Sequence, residues 1–390
     1  MMETQKQMKM RKLGLEAAYL ASCALHDTTP VLDDDPDLDA LFRFCKFHSI
    51  TSIVAMALDM VWKENPADPQ IMQKWRQGRD KAIRKNILLN AEREKILFHL
   101  ESIGCWYMPL KGSLLQFDYP KFGMRQMSDN DILFDENFQS QIYDYMISQG
   151  YEAVVFQKGN HDEYVRQPVY NIEMHKGLFM SSISPELSAY YRDVRDRMVK
   201  DRENQFGYHF SREDFYIYLV AHAYKHYVHS GIGIRMLLDV YVYVTKHGGN
   251  MNWDYIVPEL KKFGADRFEA ECRLLGRKLF SHPIRNTELT EQEKKALDIY
   301  FTSGTFGTEE TTVDNQLRSA GGTGLYGKLR YLLRRLFPSV QYMIDMEPML
   351  ERKRWLIPFA YVRRLFRGIF KRPADIAREV SQVSKTKHDQ

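Results

Sequence analysis

Two aspartates one residue apart, Asp129 and Asp131, stand at the mouth of an apolar run, Ile132, Leu133 and Phe134. Side chains on a strand alternate between faces, so a strand starting there carries both carboxylates on one side. Carboxylates beside apolar sequence are poorly solvated unless cations or basic groups compensate them. Upstream, an apolar segment over 106–110 runs into Lys111, Gly112 and Ser113. A Gly-Ser turn offers backbone N–H groups and a hydroxyl to a triphosphate, because glycine has no Cβ to block close approach. A third carboxylate, Glu173, shares one face of a strand-like segment with Asn171 and His175, while Tyr170, Ile172 and Met174 form the other. If the two strands are neighbours, three carboxylates converge, and the arrangement suggests metal-assisted chemistry on a nucleotide.

The rest of the chain reads as helix around this mixed segment, an α+β class. Residues 1–103 form an N-terminal helical region, with one long helix, or two in line, expected over 71–103. Gly104 ends it. In the core, 104–183, strands are expected over 106–110, 129–134, 151–156, 163–166 and 169–175, and helices over 113–117 and 138–148. A helical domain follows over 184–302, with helices expected over 186–199, 212–227, 234–246, 253–263, 265–279 and 291–302. Ser211, followed by Glu213 and Asp214, reads as a helix cap. Residues 303–327 are rich in Gly, Thr and Ser and read as a flexible linker. The last region, 328–390, is a basic helical tail broken by Pro338, Pro348 and Pro358.

A chain of 390 residues can bury a large core in two or three domains. The four cysteines, Cys23, Cys45, Cys105 and Cys272, lie far apart without CxxC spacing. They point to neither a zinc site nor a disulfide framework, and fit a cytoplasmic protein. Near the N-terminus, basic residues precede an apolar stretch ending at Cys23, loosely like a lipoprotein signal. Glu16 interrupts that stretch, and an amphipathic helix is expected instead. No apolar run reaches about 18 residues, so no transmembrane helix is expected. The net charge of +4 is uneven: residues 328–372 hold twelve Lys or Arg against three acids, leaving the remainder net negative.

The order of Gly112, Ser113, Asp129, Asp131 and Glu173 resembles the nucleotidyltransferase superfamily with the DNA polymerase β type fold. More closely, LKGSLL (110–115), RQMSDND (125–131) and IEMH (172–175) resemble the bacterial family of uncharacterised nucleotidyltransferases. There a Leu-Lys-Gly motif precedes Arg-x3-Asp-x-Asp and a Glu-x-His strand. The later segments AHAYKHYVH, IRMLLDVYVYV, GTFG and LFPS are similar too, so the resemblance covers most of the chain. Two features depart from the superfamily pattern: Asn130 stands where an apolar residue is typical, and the spacer between Ser113 and Asp129 holds fifteen residues.

The resemblance implies a small mixed-sheet nucleotidyltransferase core flanked by N-terminal and C-terminal helical regions. It implies a two-metal displacement with Mg²⁺ or Mn²⁺ on Asp129 and Asp131, and Glu173 completing the second site or acting as base. Gly112 and Ser113 would cradle phosphates of a nucleoside triphosphate, with Lys111 and Arg125 offsetting charge on the leaving pyrophosphate. Ion pairing of Lys111 and Arg125 with the aspartates is the competing reading.

Elsewhere, His222, His226 and His229 share a helix face at four and three spacing. With Lys225 and His175, His222 and His226 fit the wall of a cleft between core and helical domain; plain surface histidines, and a separate metal site with a metal hydrolase, are the other readings. Arg235 and Asp239, four apart, fit an ion pair. The tail segment 355–372 interleaves apolar and cationic residues, and suits peripheral contact with an anionic membrane better than sequence-specific nucleic-acid binding. Two functions remain open: transfer of a nucleoside monophosphate to a hydroxyl or phosphate acceptor, or a catalytically weak nucleotide-binding module of the same fold, which Asn130 keeps in play.

Overall fold

The computed structural model describes residues 5–371, 378, 379, 382 and 383. Four helices come first: α1 (Gln5–Leu25), α2 (Leu38–Phe47), α3 (Thr51–Val61) and α4 (Pro69–Ser102). α4 is a single helix of 34 residues. Asp68 starts it by accepting from the N–H groups of Gln70 and Ile71, and Pro69 sits in the first turn, where its missing N–H is not needed.

The mixed region follows as β1 (Tyr107–Pro109), α5 (Gly112–Leu115), β2 (Asn130–Phe134), α6 (Gln139–Ser148), β3 (Glu152–Val155), β4 (His161–Arg166) and β5 (Tyr170–His175). Its strands form one five-stranded sheet in the order β1-β2-β5-β4-β3. β2 and β5 run parallel, and the other neighbours are antiparallel. Asp131 lies opposite Glu173, Leu133 opposite His175, and His161 opposite His175. Partners in register share a face. One face therefore carries Asp131, Glu173, His175 and His161. The other carries Ile132, Ile172, Met174 and Tyr164 and packs on Ile96 and Leu100 of α4 and Ile142 and Met146 of α6. Each such fully buried apolar side chain contributes about 1.5–3 kcal/mol, which ties the sheet's orientation to its alternation and leaves the acids on the far side. Asn130 is fully buried on the apolar face, where its amide donates to the Leu89 carbonyl of α4 at 2.8 Å.

The long spacer before β2 is pinned by polar groups of α4. Asn86 donates to the Arg125 carbonyl and accepts from the Met127 N–H, and Lys85 donates to the Ser128 carbonyl. These bonds fix where β2 begins.

After the sheet come α7 (Pro185–Tyr190), a ribbon of β6 (Met198–Lys200) and β7 (Tyr208–Phe210), then α8 (Arg212–His229), α9 (Ile234–His247), α10 (Trp253–Lys261), α11 (Asp266–Phe280) and α12 (Glu291–Thr302). Ser211 caps α8 by accepting from the Asp214 N–H at 3.0 Å. α1 to α3 share one apolar core with α8, α9, α11 and α12. The Arg11–Asp298 and Arg285–Glu16 pairs close the same seam.

The expected helix over 186–199 stops at Tyr190, and Met198 to Lys200 become a strand. Arg197 is drawn away to Asp214 and Glu259, and the ribbon lies beside β1, with the Tyr107 N–H donating to the Phe206 carbonyl. The stretch over 303–327, read as a linker, holds α13 (Glu309–Ser319). Its threonines act as caps, Thr308 accepting from the Thr311 N–H while the Thr311 hydroxyl donates to the Ser230 carbonyl, and Val313 and Leu317 are buried.

The tail continues as α14 (Leu325–Leu336), α15 (Val340–Met346), α16 (Met349–Arg352) and α17 (Ile357–Lys371). Breaks fall at Pro338 and Pro348, whereas Pro358 occupies the first turn of α17. Arg372, the last residue of the expected basic segment, lies outside the described residues. Among the described residues no helix is long and apolar enough to cross a membrane.

Candidate active site

A cavity of about 360 Å³ lies between the polar face of the sheet and helices α8 and α9. Asp129, Asp131, Glu173, His175 and His161 line it from the sheet side, and Lys111 and Gly112 from the turn after β1. α8 contributes His222, Lys225 and His226; α9 contributes Arg235 and Asp239; Thr305 and Phe306 close one end.

The acidic wall is asymmetric. Asp131 Oδ1 accepts from Lys111 Nζ at 2.6 Å and from His175 Nε2 at 2.8 Å. Burial opposes its ionisation, but Lys111 and the His175 hydrogen bond prevail and hold it well below the usual carboxylate range. The same His175 nitrogen lies 3.3 Å from Glu173 Oε2, so Asp131 and Glu173 can be no farther apart than those two contacts together. Burial would lower His175; its hydrogen bonds to both acids outweigh that and raise it. Asp129 makes no hydrogen bond or ion pair among the described residues. Burial, then the charge of Asp131, pushes it up to about 6. Lys111 reaches its partner from a backbone with φ +50°, a conformation that costs a non-glycine residue about 1–3 kcal/mol.

The turn itself is tightly packed. A Cβ on Gly112 would sit 2.2 Å from Arg125 Nη1, so glycine is required there by the guanidinium behind it. Ser113 does not line the cavity: its buried hydroxyl donates to the Leu110 carbonyl at 2.7 Å. Arg125 pairs with neither expected aspartate. Its Nε and Nη2 donate to the two oxygens of Asp239 at 2.9 and 3.0 Å, and the Tyr119 hydroxyl adds a third bond at 2.6 Å. Asp239→Asn would leave the Arg125 charge buried without a partner. The expected result is a loss of about 3–5 kcal/mol in unfolding free energy by urea titration.

Because Arg125 holds Asp239, the expected Arg235–Asp239 pair does not form. Arg235 makes no hydrogen bond or ion pair among the described residues, and its guanidinium lies 5.3 Å from the Phe306 ring centroid. Lys225 is similarly unpaired, and burial followed by the charge of Lys111 pushes it down to about 8. His222 and His226 face each other, Nε2 to Nε2, at 3.3 Å. Burial drives both down, His226 to about 3, so they are neutral at physiological pH. His229 does not line the cavity, and no three-histidine cluster is formed on α8 among the described residues.

A family model described as uncharacterised nucleotidyltransferase matches residues 34–281, well over half the chain. The chain belongs to this family. No curated protein and no solved structure matches it. The matched span contains every cavity-lining residue except Thr305 and Phe306.

Of the residues singled out from sequence, Lys111, Gly112, Arg125, Asp129, Asp131, Glu173, His175, His222, Lys225 and His226 share the cavity, and Ser113 does not. Two basic lining residues, Arg235 and His161, were not placed at the site from sequence. Arg235 was hidden by an acid four residues on. His161 was hidden by a strand expected to start at 163; counting outward from the turn that pairs Arg166 with Tyr170 brings it opposite His175.

Proposed function

We propose that this protein transfers a nucleoside monophosphate from a nucleoside triphosphate to a hydroxyl or phosphate acceptor on a small molecule, sugar or protein. The observation that carries this is one cavity with three carboxylates on one wall and the unpaired cations Lys225 and Arg235 on the other. The donor set fits hard divalent cations: all its atoms are carboxylate oxygens, and Asp129 faces the cavity with no hydrogen bond or ion pair among the described residues. Asp129, Asp131 and Glu173 would hold Mg²⁺ or Mn²⁺, which when bound neutralises phosphate charge and acidifies the attacking hydroxyl.

Lys225 and Arg235 bind the β and γ phosphates and offset the charge of the leaving pyrophosphate, the role the resemblance implied for Lys111 and Arg125, whose charges Asp131 and Asp239 already neutralise. The acceptor oxygen attacks the α phosphorus, a new P–O bond forms, and the bond to the β-phosphate oxygen breaks to release pyrophosphate. Glu173 takes the acceptor proton. Lys111 and His175 keep Asp131 ionised and aimed. Asn130, on which the non-catalytic reading rests, is not among the cavity-lining residues, and this favours transfer.

Each α-labelled nucleoside triphosphate, incubated with the protein, Mg²⁺ and candidate acceptors, tests the proposal. Label should move to an acceptor, with pyrophosphate released, and should not move in an Asp129→Ala, Asp131→Ala double variant. Equal nucleotide binding by that variant, with no transfer by either protein, would sink it.

The tail supports a second contact. Leu325, Leu329 and Leu333 recur at four spacing on α14 and are exposed, Leu325 by 82%; Trp355, beside α17, is exposed by 70%, and Phe359 on α17 is exposed too. Arg330, Arg334, Arg354 and Arg367 lie among them, also exposed. Such a surface suits the interface of an anionic membrane. The protein should sediment with phosphatidylserine vesicles and not with phosphatidylcholine vesicles, and Leu325→Glu with Trp355→Glu should abolish this. Recovery in the supernatant with both lipids would exclude the contact.

A further inference from the structure

We propose that His161, Glu173 and His175 form a second cation site with nitrogen donors, one that takes a borderline divalent transition ion of the Zn²⁺ kind. The site shares Glu173 with the carboxylate set, but it requires neither nucleotide nor transfer.

The register of the sheet builds it. His161 on β4 lies directly opposite His175 on β5, and Glu173 stands two residues earlier on β5, on the same face. The two imidazole centroids are 5.1 Å apart, and one ligand atom from each of the three residues lies within 4.8 Å of the others. Among the described residues this is the group of His, Cys, Asp and Glu side chains so gathered, and Asp129 and Asp131 are outside it.

Each ring is oriented from behind. Metal-binding histidines usually engage an oxygen through their second nitrogen, which sets the tautomer and aims the lone pair. His161 Nδ1 lies 3.4 Å from Asn160 Oδ1, leaving Nε2 open. Asn160 is itself anchored, its amide donating to the Gly177 and Leu178 carbonyls at 3.0 and 3.3 Å. His175 Nε2 is bonded to Asp131, and its buried Nδ1 has no hydrogen-bond partner. His161 Nε2 and His175 Nδ1 are thus uncommitted, while the contact of His175 with Glu173 Oε2 runs through Nε2 at 3.3 Å.

The donor chemistry selects the ion. Two imidazoles and one carboxylate suit Zn²⁺ or Co²⁺, whereas Mg²⁺ prefers an all-oxygen shell. Three protein ligands also leave a coordination position for water or substrate, and the cavity lies on that side.

Co²⁺ is the probe. Titrated into the full-length, metal-free protein without nucleotide, it should give visible d–d absorption at one equivalent, reversed by Zn²⁺ and not by millimolar Mg²⁺. His161→Gln should weaken Co²⁺ binding at least about tenfold, and Asp129→Asn should leave it in place. X-ray absorption of the Zn²⁺-loaded wild-type protein should show imidazole scattering, a readout that does not depend on any variant folding. Absence of that scattering, or equal Co²⁺ affinity of wild type and His161→Gln, would overturn the site. His161-dependent Co²⁺ binding in a protein that transfers no label would leave this site standing while the transfer reading fell, so the two can fail separately.

Discussion

Asp129→Asn and Asp131→Asn should both reduce nucleotidyl transfer by about 10³-fold or more, roughly 4 kcal/mol of barrier, while moving stability in opposite directions. Asp129 titrates near 6 in the folded protein, against an unfolded value of 3.8. A raised carboxylate binds protons more readily when folded, so stability falls as pH rises from about 4 to 6, and the penalty persists above 6. Asn removes it, a gain of about 3 kcal/mol at neutral pH. Asp131 is depressed by Lys111 and His175. Its stabilisation is present above the unfolded value and lost as pH falls below it. Asn at this position leaves Lys111 buried without its partner, at a cost of about 3–5 kcal/mol. Urea titrations at pH 4 and pH 7.5, run beside the transfer assay, measure both effects. Stability changes of the same sign at pH 7.5 would refute the asymmetry of the acidic wall.

Lys225→Met should weaken nucleoside triphosphate binding by about 10–100-fold, the loss expected for a charge-assisted contact of roughly 1.5–3 kcal/mol. The same variant should be the more stable protein. Lys225 titrates near 8 when folded, against 10.5 unfolded. The folded state therefore binds this proton less readily, stability rises with pH between about 8 and 10.5, and below 8 the buried charge costs about 3 kcal/mol. Met keeps most of the stem's packing without the charge. Wild-type affinity for nucleotide should fall above pH 8, where Lys225 loses its proton, and the Lys225→Met profile should be flat there. Calorimetric titration from pH 6.5 to 9 reads both curves. Equal affinities at pH 7 would remove Lys225 from the phosphate site.

Much of the core was legible because it rests on short-range rules. The cap at Ser211, the many helix formers of α4 and the alternation in β2 and β5 all act within a few residues. Alternation alone placed Asp131 and Glu173 on polar faces, and only the parallel pairing of β2 with β5 made those faces one. Capping chemistry in 303–327 was present in the sequence too, but threonines that cap a helix and threonines in a loop have the same composition.

The acids, their facing and the apolar side of the sheet were determined by the sequence itself, through periodicities of two and 3.6 residues. The tertiary structure decided which cations serve them. A local rule pairs Arg235 with Asp239 four residues on, worth about 0.2–0.5 kcal/mol on an exposed helix. The fold instead buries Asp239 beside Arg125, 114 residues away, in a two-pronged pair that also takes the Tyr119 hydroxyl. Three bonds to a buried carboxylate outweigh one neighbour on the same helix, so Arg125 became structure and Arg235 became available to the cavity. His161 met His175 for the same reason: sheet register brings together residues that no local spacing relates.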